Sequence, residues 1–164
     1  MAHKIRHALT TDHDVIAEIN TLAFGKPDEA GLIARLRADG DTLLEMVADD
    51  ARGVDGHILF SRLWAGNGRL YAALAPMSVR PGLQKDGLGS ALVRAGLDYL
   101  PELGVQGVLV LGHPRYYPRF GFSPETAASV RSPYSGSPAF MALALEADAF
   151  DEAFSLAYPS AFSA

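Results

Sequence analysis

The 164-residue chain contains no cysteine, which excludes a disulfide framework, a thiolate metal site and a cysteine nucleophile. Positive charge is scarce as well: 14 lysines and arginines stand against 19 acidic residues, for a formal net charge of −5. A nucleic-acid binder normally carries a basic face, so no nucleic-acid partner is expected, although a local basic pocket is not excluded. No apolar run approaches the roughly 18 residues of a membrane span. Met1 to Thr10 carries Lys4 and Arg6 but no apolar core of the kind a signal peptide needs. A cytoplasmic protein with no membrane partner is the expectation. His3, His7, His13 and His57 show no metal-ligand spacing, and no metal is expected. Internal repeats and low-complexity blocks are missing too.

What remains is an ordinary globular composition, 49% hydrophobic and 20% charged. The length suits one domain, 1–164, able to bury most of its apolar surface. Ile5 to Leu9 reads as a short strand. Val15, Ile16, Ile19, Leu22 and Ala23 keep helical spacing, predicting a helix from Asp12 to Phe24, with Thr11 and Asp14 as a weak capping box. Gly25-Lys26-Pro27 breaks it, and Asp28 is placed to cap a second helix that ends at Gly40. Thr42–Ala48, Val54–Leu63 and Leu70–Val79 read as strands of an antiparallel meander, with Asn67-Gly68 as the hairpin signal. Pro76 lies inside the last of them. It marks either a simple end to pairing or a bulge that re-aims the Met77 N–H into a cleft.

From Val79 the chain reads V-R-P-G-L-Q-K-D-G-L-G-S-A-L. A glycine-bearing turn precedes a helix with apolar positions at Leu88, Ala91, Leu92, Ala95 and Tyr99. A helix start approached through glycines exposes backbone N–H donors and the positive dipole end, which suits phosphate. Two nucleotide motifs fail here. Gly82 to Gly87 has P-loop spacing, but Leu88-Gly89 replaces the required Lys-Ser/Thr. A dinucleotide fingerprint starting at Gly87 would need glycine where Leu92 stands. Pro101 stops the helix. Val105 to Leu111 then reads as a buried strand, Gly112 to Phe122 as a short aromatic segment, and Ser123 to Pro138 as loop-rich. Ala139 to Leu145 forms a last strand, and residues 146–164 are a C-terminal extension or short helix.

The pattern V-x-P-x-x-Q-x-x-G-L-G-x-x-L, Val79 to Leu92, resembles the acetyl-CoA motif of the GCN5-related N-acetyltransferases. The segment L-G-H-P-R-Y-Y-P-R-F-G-F, Leu111 to Phe122, is similar to one carried by the YhbS-like members of that superfamily. The order of elements agrees over nearly the whole chain. The resemblance implies an α/β fold: a mixed, mainly antiparallel sheet flanked by helices, with acetyl-CoA as cosubstrate. It implies that Met77, Ser78 and Val79 face the pantetheine arm. The N–H groups of Gln84, Lys85, Asp86, Gly87, Leu88, Gly89 and Ser90 would wrap the pyrophosphate. Asp86 departs from what phosphate favours, and Lys85 offsets it.

Acetyl transfer to an amine needs a neutral nucleophile, a stabilised oxyanion and a proton for the departing thiolate. The resemblance assigns the proton to Tyr117, with Tyr116 as the fallback, and the oxyanion to the N–H of Met77. His113, Glu29 or ordered water is left as the general base. The implied partners are acetyl-CoA and a primary amine of a small molecule or peptide, attacked directly, with the protein a monomer or homodimer. The same motifs also suit a non-catalytic acetyl-CoA-binding regulator, or an acyltransferase with another acyl-CoA or a hydroxyl acceptor.

Overall fold

The computed structural model describes residues 3–163. In chain order the elements are β1 (Lys4–His7), α1 (His13–Phe24), α2 (Asp28–Ala38), β2 (Thr42–Asp50), β3 (Gly53–Ala65), β4 (Leu70–Val79), α3 (Leu88–Tyr99), β5 (Gly107–Leu111), α4 (Pro124–Ala127), β6 (Val130–Arg131), β7 (Phe140–Ala144) and β8 (Phe154–Ala157). Short 3-10 turns occupy Thr10–Asp12, Leu100–Leu103, Tyr117–Phe120 and Ser160–Ser163. The sheet runs β1-β2-β3-β4-β5-β7, with β8 paired to β3 and β6. The β4–β5 and β6–β8 pairs are parallel and the rest antiparallel. This is the mixed, mainly antiparallel sheet flanked by helices that the family resemblance implies.

The caps differ from expectation. Asp12, rather than Thr11 and Asp14, anchors the entry to α1, its Oδ2 accepting the Leu9 N–H at 2.7 Å. Asp28 is the first residue of α2, not its cap, because the chain enters through Pro27 without a side-chain cap bond. The C-terminal extension is neither a plain helix nor a loose tail. It contributes β8 and ends in the turn Ser160–Ser163, whose Ala161 packs in the α1–α2 core.

Alternation along β3 assigns the layers. Ile58 and Phe60 face α3, where they join Leu92, Val93, Ala72 and Leu74. Leu59 faces the other way, toward Ile16 and Ile19 of α1 and Ile33 and Leu36 of α2. Farther along that second face, Leu63, Tyr71 and Leu109 are covered by Phe140, Phe154 and Leu156. Gly96 of α3 allows the closest approach: a Cβ there would lie 2.3 Å from the Phe60 ring.

Pro76 sits at a bulge rather than at a simple end to the pairing with β3. Ile58 pairs with Met77 and Phe60 with Leu74, so Ala75 and Pro76 together oppose Leu59. One extra residue reverses the side-chain parity of everything after it. Met77 and Val79 consequently turn to the α3 face, while Ser78, opposite His57, turns to the α1–α2 face. Pairing with β5 also ends early, at Ala73–Leu109. Beyond that point β4 and β5 diverge and open a cleft.

Candidate active site

The cleft has a volume of about 770 Å³ and runs from the glycine turn to the α1–α2 corner. Its floor is the bulged end of β4. The turn is shaped by Gly87, whose φ of +84° is left-handed and favours a residue without a Cβ. Gln84 braces it from within, its Nε2 donating to the Val79 carbonyl at 3.1 Å. The Asp86 N–H is spent inside the turn on the Leu83 carbonyl at 3.2 Å. It therefore leaves the expected set of phosphate donors. Among the described residues, no protein acceptor takes the N–H groups of Gln84, Lys85, Gly87, Leu88, Gly89 and Ser90. Unpaired donors at a helix start are an anion site in waiting. A Cβ on Gly89 would meet the Tyr116 hydroxyl at 3.3 Å and Met77 Cε at 3.4 Å, so its absence lets the turn sit close to the cleft wall.

The two tyrosines of the aromatic segment have different surroundings. The Tyr116 hydroxyl is engaged with Ser90 Oγ at 3.0 Å, and Arg119 lies over its ring with Cζ 4.4 Å from the centroid. Tyr117 is buried among Tyr116, Phe120 and Phe122, and Gly112 makes room for its ring: a Cβ there would lie 2.5 Å away. Burial, with a smaller contribution from Tyr116, pushes the Tyr117 phenol up to about 12. Its side chain lines the cleft, and its hydroxyl has no protein hydrogen bond among the described residues. It is a neutral donor with nothing to donate to.

Met77, Ser78, Val79, His113 and Glu29 line the same cleft. Among the described residues, two polar atoms of that lining are buried without a partner, Glu29 Oε1 and Ser78 Oγ. Phe24, at the start of the Phe24–Asp28 segment that the sequence marks as shaping the acceptor pocket, also lines it, as do Leu32, Leu111 and Arg119, to which the sequence assigns no role there. A burial pattern read along one element does not show which side chains meet across the mouth.

A family model described as the acetyltransferase (GNAT) family matches residues 12–122. The chain belongs to the GNAT acetyltransferases. It is 41% identical over 119 residues to the uncharacterized N-acetyltransferase YjhQ of Escherichia coli K12, covering 70% of this chain and 66% of YjhQ, just under two thirds of that relative's length. It is 34% identical over 135 residues to the uncharacterized N-acetyltransferase YhbS of the same strain, 81% of each. The crystal structure of E. coli YhbS in complex with CoA superposes with a TM-score of 0.93 and 32% identity, covering 100% of this chain and 93% of that one. A GNAT family acetyltransferase from Brucella melitensis, in complex with acetyl-CoA, gives a TM-score of 0.82 at 31% identity, covering 98% and 97%.

Behind the α1–α2 wall of this GNAT domain lies a polar network that the sequence reading missed. His57 is fully buried; its Nε2–H donates to Glu45 Oε2 at 2.7 Å and its Nδ1 accepts from Asn20 Nδ2 at 3.3 Å. Arg37 of α2 grips the same carboxylate through Nε at 3.0 Å and Nη2 at 2.6 Å. Burial works against the Glu45 charge, but His57 and Arg37 outweigh it and hold the carboxyl at about 2. Burial also lowers the His57 pKa, with Glu45 opposing. The signal was present: Glu45 and His57 interrupt two adjacent apolar strands, and the hairpin register sets them diagonally on one face. At the opposite end of β2, His3, Asp50 and Asp55 bring their ligand atoms within 4.8 Å of one another. His3 Nε2 is already bonded to Asp55 Oδ2 at 2.7 Å, and Asp55 Oδ1 accepts from Arg80 Nε at 3.2 Å.

Proposed function

We propose that this chain is an N-acetyltransferase that takes acetyl-CoA in the cleft and transfers its acetyl group to a primary amine by direct attack. The observation that carries the reading is a row of unpaired N–H groups, at Gln84, Lys85 and Gly87 to Ser90, opening into the cleft that Tyr117 lines. A pyrophosphate suits those donors, and Lys85 adds a positive charge beside them. The main chain of Met77 to Val79, without a strand partner on its β5 side among the described residues, suits the amides of a pantetheine arm. The CoA-bound and acetyl-CoA-bound relatives support the same cosubstrate.

The thioester supplies an activated acyl carbon: the amine nitrogen forms the C–N bond, the C–S bond breaks, and one proton moves from nitrogen to sulfur. In this reading the Met77 N–H, beside the bulge, stabilises the oxyanion. Tyr117 acts at the sulfur. A phenol near 12 does not release its proton outright to a thiolate whose conjugate acid is near ~8.5. It donates a hydrogen bond as the charge develops and passes its proton on as the proton leaving the nitrogen replaces it. His113, Glu29 and water are the groups assigned to receive the first proton of the incoming ammonium. Calorimetric titration with CoA and a thiol-release assay over an amine panel test the reading. Micromolar CoA binding together with amine-dependent thiol release is expected. Binding without release would instead favour a non-catalytic acetyl-CoA-binding protein, and preferential release from longer acyl-CoAs a different acyl donor.

A further inference from the structure

The far end of the cleft, away from the glycine turn, has a composition of its own. Ala23 and Phe24 close it from α1, Glu29 and Leu32 from α2, and Leu111 from the tip of β5. Among the described residues, Glu29 is the single acidic side chain in the lining. Its neighbour Asp28 points outward and pairs with Lys26 at 3.7 Å, whereas Glu29 Oε1 is buried with no hydrogen-bond partner among the described residues. A carboxylate oxygen removed from water without a donor is costly, and a donor carried in by a ligand relieves that cost. Around it the wall is mostly apolar, with the buried Ser78 hydroxyl as its polar exception. Phe24 and Leu111, 41% and 49% exposed, leave hydrophobic surface open on elements that both border the cleft.

We infer that the acceptor is an amphiphilic monoamine, its ammonium received by Glu29 and its aliphatic or aromatic body laid between Phe24 and Leu111. The inference rests on the acetyltransfer reading and adds the acceptor class. A polyamine or aminosugar brings several positive charges or many hydroxyls, and one carboxylate and one hydroxyl in a mostly apolar wall satisfy neither. An amino acid brings a carboxylate of its own next to Glu29, where like charges repel. Lys85 lies at the turn and Arg119 is stacked on Tyr116, so neither cation stands on the α1–α2 wall to offset that repulsion.

The test is steady-state kinetics with acetyl-CoA and four acceptors: phenethylamine, hexylamine, spermidine and glucosamine. The two monoamines with apolar bodies are expected to give the higher kcat/KM. Glu29→Gln is expected to raise their KM by about tenfold to a hundredfold, the worth of a charge-assisted hydrogen bond, with the KM for acetyl-CoA unchanged. Glu29→Asp should recover part of the loss. Phe24→Ala should raise the KM for phenethylamine, again without touching acetyl-CoA. A preference for spermidine or glucosamine, or an unaltered amine KM in Glu29→Gln, overturns the acceptor assignment while leaving the acetyltransfer reading in place. No CoA binding by the unaltered protein overturns that reading, and the acceptor assignment falls with it.

Discussion

The two ends of the cleft are built from different materials. At the α3 end the functional groups are main-chain N–H donors shaped by Gly87 and Gly89 over about one helical turn. At the α1–α2 end they are side chains drawn from α1, α2, β4 and β5. Their wall is held to the sheet through Arg37, Glu45 and His57. A backbone site survives the loss of any one side chain near it, because its donors belong to every residue type except proline. A side-chain site depends on each member.

The sharpest test of that contrast is Tyr117→Phe, which removes one oxygen and leaves the ring against Gly112. Turnover is expected to fall by about 10²–10⁴-fold, while the Kd for CoA in a calorimetric titration stays the same. Unchanged turnover would remove Tyr117 from the chemistry. Because the phenol is held near 12, no loss of activity between neutral pH and pH 9 should be traceable to it.

Next in size is the anchor of the side-chain half. Glu45→Gln leaves Arg37 and the buried His57 without their anion and should cost about 2–4 kcal/mol in denaturant unfolding. The intact network predicts a pH dependence as well. His57 binds a proton near 6.5 when unfolded but resists it when folded, so stability falls as pH drops below that value. Glu45, lowered from 4.5 to about 2, gives stability that is fully present above 4.5 and lost as pH falls toward 2. Midpoints measured from pH 7 to pH 3 should trace that decline, and Glu45→Gln should flatten its acidic part. A parallel decline in the variant would dissociate the network from it.

The backbone half should respond more mildly. Gly87→Ala places a Cβ at φ +84° with open space around it, so only the left-handed strain of about 1–2 kcal/mol is expected. A thermal melt measures it. Gln84→Ala should be milder still. Losing its bond to the Val79 carbonyl is worth about 0.5–1.5 kcal/mol, and CoA affinity should drop by less than about tenfold.

The same division explains what could be read from the chain beforehand. The turn was legible because glycine spacing, a following apolar period and an adjacent strand are all local. The meander was legible from the strand-like runs and the Asn67-Gly68 turn. Pro76 announced an irregularity, but not that it would send Met77 and Ser78 to opposite faces, since that follows from register with β3. The assembly of Phe24 and Glu29 with Leu111 around one opening joins two distant stretches of the chain. No window along the sequence contains it. Asp86 shows the limit even within the local motif: its N–H turns inward to Leu83, a matter of one peptide's orientation that spacing does not encode.

The early parting of β4 and β5 has a bearing on solubility. From Leu74 to Val79 one side of β4 has no neighbouring strand among the described residues, and an unsheltered strand margin is a template for joining another chain. The bulge at Ala75–Pro76 is itself a device that discourages such joining. A pantetheine arm lying along the same margin would complete the shelter. The ligand-free protein should then self-associate more readily on concentration than the CoA-saturated one, and light scattering of the two side by side would register the difference.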